Sequence, residues 1–231
     1  MYKKAKRSNI IVLMLLILIG SFTVQCTKEK ADPYSVREIS PEFKEYIAFD
    51  SSSYWIYKKE NVTSEILDTV KIHQVFRDRR FHIDATTNGY YYHALEMFYQ
   101  SSLTGISKGE IAVGTPYGNS TLNDLYRLYF NNGRYFSILI PKYPFGETQL
   151  LGVNEGNYTN VALLNNFLIN GKVYSEVYHT NVVDYKNAPD TAFMDFYIAK
   201  NHGLVKYTIL QPGQNINDSW VLKDFRLIPI E

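Results

Sequence analysis

From Tyr54 onward the chain alternates apolar or aromatic residues with polar ones at period two, and no stretch carries a long helical period. Tyr, Phe, Val, Ile and Thr dominate, the residue types that fit a pleated sheet. Three Asn-Gly dipeptides, Asn88-Gly89, Asn132-Gly133 and Asn170-Gly171, each separate two such runs. Asn-Gly supplies two positive-φ residues for a tight hairpin turn. A fourth turn is expected at Asn201-His202-Gly203 and an earlier one near Asn61–Ser64; Trp220–Ile228 closes the body. Strands in sequence-adjacent pairs without βαβ alternation predict a mainly β fold. It is an antiparallel meander of hairpins forming a curved sheet, half-barrel or barrel. The stretches 101–124 and 141–160 are rich in Gly and Pro and are each expected to hold one short strand.

One helix is predicted. Ser40 is a capping hydroxyl, Pro41 suits the first helical position and Glu42 suits the first turn. Phe43, Tyr46 and Ile47 then form an i, i+3, i+4 stripe, so a short helix near 41–48 should dock on the edge of the domain.

The amino terminus has a different pattern. Lys3, Lys4, Lys6 and Arg7 precede an apolar run from Ile10 to Ile19 that weakens through Val24. The run is too short for a permanent transmembrane helix and reads as a secretory signal over residues 1–25. The chain's one cysteine, Cys26, stands at its end in Thr23-Val24-Gln25-Cys26. This resembles a bacterial lipoprotein signal, with a looser box of the kind found in Bacteroidota. The resemblance implies a diacylglycerol and acyl lipid on Cys26, which becomes the first mature residue. Residues 26–39 then form a lipidated tether and residues 40–231 the β domain. Residue 27 is Thr, so the inner-membrane retention signal is absent; the expected address is the outer membrane, on its periplasmic or its surface face.

Composition sharpens these readings. A chain of 231 residues with 45% hydrophobic content buries a core without staples. One cysteine excludes a disulfide framework and a Cys-based zinc cage. The formal charge is +1; losing the signal leaves 20 cations against 23 acids, a net of −3. Neither value, nor any basic stripe, supports nucleic-acid binding.

The candidate chemistry is sparse. Taking Asn88-Gly89 as a two-residue loop pairs Thr87 with Tyr90 and puts Asp84 opposite His93. His82 then lies on the same face, a candidate divalent-metal group of His82, Asp84 and His93 on the solvent side. The alternatives there are a His–Asp contact and plain solvated residues. In the Asn132-Gly133 hairpin one face carries Tyr126, Leu128, Phe130, Tyr135 and Leu139. The other carries Leu125, Tyr129, Phe136, Ile138 and Ile140, with Arg127. A hairpin apolar on both faces needs two covers. The second is the helix, the 141–160 loop, an envelope protein partner or an apolar ligand. No nucleophile elbow, zinc helix, calcium loop or phosphate loop is present.

Three further stretches carry a likeness: Trp55-Ile56-Tyr57, Gly171-Lys172-Val173-Tyr174 followed by Val177, and Tyr197-Ile198-Ala199 running to Gly203-Leu204-Val205-Lys206. They resemble the W-x-Y, G-K-x-Y-x-x-V and Y-x-A-x-x-x-G-L-V-K patterns of Bacteroidota outer-membrane lipoproteins. The resemblance implies a lipid-anchored, mostly β envelope protein with a non-enzymatic binding or structural role and no catalytic residues to carry over. The alternatives are an apolar-ligand carrier with a half-barrel cavity and a metal-dependent enzyme at His82, Asp84 and His93.

Overall fold

The computed structural model describes residues 36–83, 89–117, 121–151, 155–186 and 190–230. The signal, Cys26 and most of the expected tether lie outside the described residues, as do Asp84 and Asn88.

The fold is one large, curved, mostly antiparallel sheet with a single α-helix among the described residues. In chain order the elements are β1 (Val36–Arg37), α1 (Pro41–Ile47), β2 (Tyr54–Lys59), β3 (Leu67–His82), β4 (Tyr90–Gln100), β5 (Ile106–Tyr117), β6 (Thr121–Phe130) and β7 (Tyr135–Leu139). There follow β8 (Thr148–Leu150), β9 (Asn157–Leu164), β10 (Phe167–Ile169), β11 (Lys172–Tyr174), β12 (Val177–Asp184), β13 (Ala192–Ala199), β14 (Gly203–Gln211) and β15 (Ile216–Arg226). Across the sheet the order is β7-β6-β5-β4-β3-β2-β15-β14-β13-β12-β9-β8. Two meanders thus meet where β2 pairs with β15. β1 adds a short parallel pairing to β4, and β10–β11 form a separate hairpin.

The predicted meander is therefore present, and its backbone ladder does not close into a barrel. Side chains bridge the gap. The Thr180 hydroxyl donates to the Ile138 carbonyl at 2.8 Å. The Ile140 amide donates to the Tyr158 hydroxyl at 2.9 Å, and the Asn160 amide donates to the carbonyls of Ile140 and Tyr143 at 2.9 and 2.7 Å. Tyr158 also donates to Asn160 Oδ1. Backbone groups of the β7 end, which would be orphaned in an apolar interior, find partners on β9 and β12.

α1 forms as its sequence dictates. Ser40 caps it by accepting from the Phe43 amide, Pro41 opens it, and Phe43, Tyr46 and Ile47 are buried. Ile47 lines the concave interior together with Trp55, Tyr57, Tyr99, Tyr126 and Leu204. The free space left there is about 20 Å³, room for one water. Side chains of the protein fill this part of the interior. Residues 36–39 of the expected tether take part in the fold: Val36–Arg37 are paired and Ile39 is buried.

The core is rich in tyrosine, and several phenol tips reach a polar partner, whereas the Tyr207 hydroxyl is buried without one among the described residues. Tyr57 donates to the Leu204 carbonyl at 2.7 Å, Trp55 Nε1 donates to the His202 carbonyl at 2.8 Å, and the Tyr99 and Tyr126 hydroxyls share a bond of 2.8 Å. Gly109 lies under Tyr126 so closely that a Cβ would meet its ring.

Asn170-Gly171 is a two-residue turn, with both residues at positive φ and Ile169 paired to Lys172. At Asn132-Gly133 the loop is longer. Tyr129 pairs with Tyr135 rather than Phe130 with Tyr135, and a bulge restores Tyr126 opposite Leu139. The Asn131 amide donates to the Gly105 carbonyl in the neighbouring hairpin, a tertiary contact that sets the turn. Tyr126, Leu128, Phe130 and Leu139 are consequently core residues, while Tyr135 lies on the opposite face, stacked on Tyr129 at 4.9 Å. The five do not form an exposed apolar surface.

Candidate functional site

β3 is the longest strand, and β2 pairs only with its first part, Leu67–Lys71. Past Leu95, toward its start, β4 leaves β5 and takes β1 as neighbour instead. The result is an arm of β3, β4 and β1. His82 pairs with Tyr90 and Arg79 with His93. Paired numbers thus sum to 172, where a two-residue loop would give 177. An odd slip inverts the faces. His93 therefore shares the core side with Arg77, Arg79, Phe81 and Leu95, while His82 turns to the other face against Tyr90. The expected His82, Asp84 and His93 group is not brought together: the two histidines oppose each other across the arm, and Asp84 lies outside the described residues. Among the described residues no other cluster of three metal-ligating side chains occurs.

What His93 does line is a cleft of about 380 Å³ at the root of this arm. Its floor is Ile39, Ala94, Leu95 and Ile230; its rim holds Glu38, Lys44, Arg77, Asp78, Arg79 and His93. Four separate segments contribute: the strand pair, the residues between β1 and α1, α1 itself, and the carboxyl-terminal stretch. Glu38 meets His93 Nδ1 at 2.5 Å, and the Arg79 guanidinium lies 3.9 Å above the Tyr91 ring. Lys44 and Arg77 have no carboxylate partner among the described residues. Three cations, Lys44, Arg77 and Arg79, against the acids Glu38 and Asp78 give the cleft a net positive lining over an apolar floor, which suits an anion with a short apolar body, and the volume falls at the lower end of small-molecule pockets.

Two other groups of titratable side chains stand elsewhere. On the opposite face Arg80 reaches Glu96, Glu110 and Asp78 at 3.0, 3.1 and 3.2 Å, and Lys108 reaches both glutamates. Tyr129 donates to Glu110. Burial opposes ionisation of Glu96, but hydrogen bonds from Arg80 and Lys108 outweigh it and hold the carboxyl below its ordinary range. Charges in this belt answer one another across three strands, with the Tyr129 phenol added from a fourth, so it reads as an internal tie. On β12 and β13, His179 Nε2 lies 2.8 Å from Asp195 Oδ1, with Asn181 at 3.3 Å from the same oxygen. His179 stacks on Tyr197, and Tyr197 on Phe167. The His179 contact holds the Asp195 carboxyl low, against the opposing effect of burial. This pair was legible in principle: alternation puts His179 and Asn181 on one face of β12 and Asp195 and Tyr197 on one face of β13. Only the register of the intervening turn was missing.

The three stretches that resemble envelope lipoproteins converge in space. Trp55 and Tyr57 bond to the carbonyls of His202 and Leu204, Asn170 Nδ2 donates to the Leu222 carbonyl, and Tyr174 meets the His202 ring at 5.0 Å. Their arrangement fastens β2, β14, β15 and the small hairpin together. Comparison with protein-family models, with curated proteins and with solved structures found no match. No helix among the described residues is long and apolar enough to cross a membrane.

Proposed function

We propose that this chain is a lipid-anchored binding protein of the bacterial outer membrane, without catalytic activity, whose cleft takes a small anion with an apolar body. The cleft carries the reading: Lys44 and Arg77 stand over an apolar floor, neither in an ion pair with a described carboxylate, and Lys44, Arg77 and Arg79 outnumber Glu38 and Asp78 along the cleft. His93 is held by Glu38, and no nucleophile with an adjacent base lines the cleft. Attachment is supported by the signal pattern ending at Cys26. A single diacylated cysteine buries two or more chains at ~0.8 kcal/mol per CH₂, enough for stable anchoring.

Two measurements test this. Purified chain from residue 27 should bind 1-anilinonaphthalene-8-sulfonate saturably with one site, and Arg77→Gln should weaken it roughly tenfold, the loss of one charge-assisted contact. Uncharged anilinonaphthalene should bind poorly. Equal affinity of the Arg77→Gln protein would remove the cleft from consideration. Separately, radiolabelled palmitate should enter the wild type and not Cys26→Ala; an unlabelled wild type would end the anchoring claim.

A further inference from the structure

We infer that the anion taken by the cleft is the terminal carboxylate of an extended peptide, which adds as a strand to the free edge of β3. The inference rests on the binding reading above and names its ligand class. β2 pairs with β3 only over Leu67–Lys71, and the last backbone bonds on that side join Ile72 to Ser52 and Ser53. β3 continues in register with β4 from Gln74 to His82. Over 73–78 no described strand or loop pairs with its other edge. Every second residue of a strand turns its N–H and C=O away from the paired neighbour. His73, Gln74, Phe76, Arg77 and Asp78 are exposed, so this edge is open to water. An open edge is a template for another strand.

The cleft borders the same stretch. Arg77 and Asp78 both line it, although the Asp78 side chain pairs with Arg80 on the opposite face, so at Asp78 the strand's backbone meets the cleft. A strand laid on the edge delivers its end there. Its carboxylate meets Lys44 and Arg77, and its last side chain meets the floor of Ile39, Leu95 and Ile230. Charge selects this occupant: a net positive lining suits a carboxylate. A second copy paired edge to edge about Asp78 would instead set Arg77 against Arg79, like charges directly opposite.

The test is displacement of 1-anilinonaphthalene-8-sulfonate from the chain starting at residue 27; the core runs from Ile39 to Ile230, so this chain keeps the whole fold. The peptide acetyl-Ser-Thr-Val-Thr-Leu with a free carboxylate should displace the dye roughly tenfold better than its carboxamide, and roughly tenfold better than N-acetyl-leucine. It should also slow amide exchange within 73–78 roughly tenfold, which N-acetyl-leucine should not do. Arg77→Gln should weaken the acid peptide and not the carboxamide. N-acetyl-leucine as potent as the peptide, or peptide bound without slowed exchange, overturns strand addition and leaves the small-anion reading standing. A dye that binds but yields to no peptide does the same. Exchange at 73–78 that slows with protein concentration alone also overturns the inference, since the edge would then be an interface between copies. A dye that fails to bind fails the reading of the cleft itself. A dansyl-labelled peptide, read directly, then decides: bound with slowed exchange, strand addition stands; unbound, it falls.

Discussion

Asn160→Ala should destabilise the protein by ~3–5 kcal/mol, read as a lowered urea midpoint with an unchanged slope. Asn160 is fully buried where the end of β7 approaches β9. Its amide nitrogen donates to two backbone carbonyls, those of Ile140 and Tyr143, and its oxygen accepts from Tyr158. Alanine removes all three bonds: the Tyr143 carbonyl and the Tyr158 O–H lose the partner named here, while the Ile140 carbonyl keeps the Tyr143 amide and the Tyr158 oxygen keeps the Ile140 amide; each group left unsatisfied costs ~1–3 kcal/mol. The loss is larger than for an ordinary buried asparagine because no ladder hydrogen bonds close this seam. Amide exchange should separate the local from the global effect: β7 amides should exchange faster in the variant than those of β2 and β15. A midpoint shift worth under ~1 kcal/mol would mean that the seam is held by apolar packing alone.

Asp68→Asn should cost ~2–4 kcal/mol and should change how stability depends on pH. The Asp68 carboxylate, buried on β3, accepts from Ser101 Oγ at 2.7 Å, from the Ser102 amide and hydroxyl at 3.1 and 2.8 Å, and from the Thr104 amide at 2.8 Å. It therefore pins the turn between β4 and β5. Burial alone would raise its pKa, but the bonds from Thr104, Ser101 and Ser102 outweigh burial and hold the carboxyl well below the usual range near 3.8. A depressed folded pKa contributes stability that is complete above the unfolded value and is lost as pH falls toward the folded one. The gap between wild type and Asp68→Asn should accordingly be flat from about pH 7 to 5 and narrow below about pH 4. An asparagine offers one acceptor and sets an NH₂ against N–H donors, so it cannot rescue the turn. A gap that stays constant down to pH 3 would show that the carboxylate's charge contributes nothing.

Local chemistry settled the class of this fold and some of its joints. Period-two alternation made strands. Ser40, Pro41 and Glu42 made a helix begin at Pro41, and Asn170-Gly171 made a two-residue turn, because each of these is decided by groups within four residues of one another. Residue numbering alone did not determine where the other hairpins turn. The 132–133 turn is set by a hydrogen bond from Asn131 to Gly105, and the arm's pairing is offset by an odd number that swaps every side chain to the other face. His93 was visible as a polar residue worth attention, but its partner, Glu38, comes from a segment read as tether, and the cations beside it come from α1 and β3. Closure of the curved sheet by Tyr158, Asn160 and Thr180, filling of its concavity by α1, and assembly of the cleft from four separated stretches are tertiary decisions. They depend on which distant groups burial forces to share a dry interior, and one strand's alternation carries no information about that.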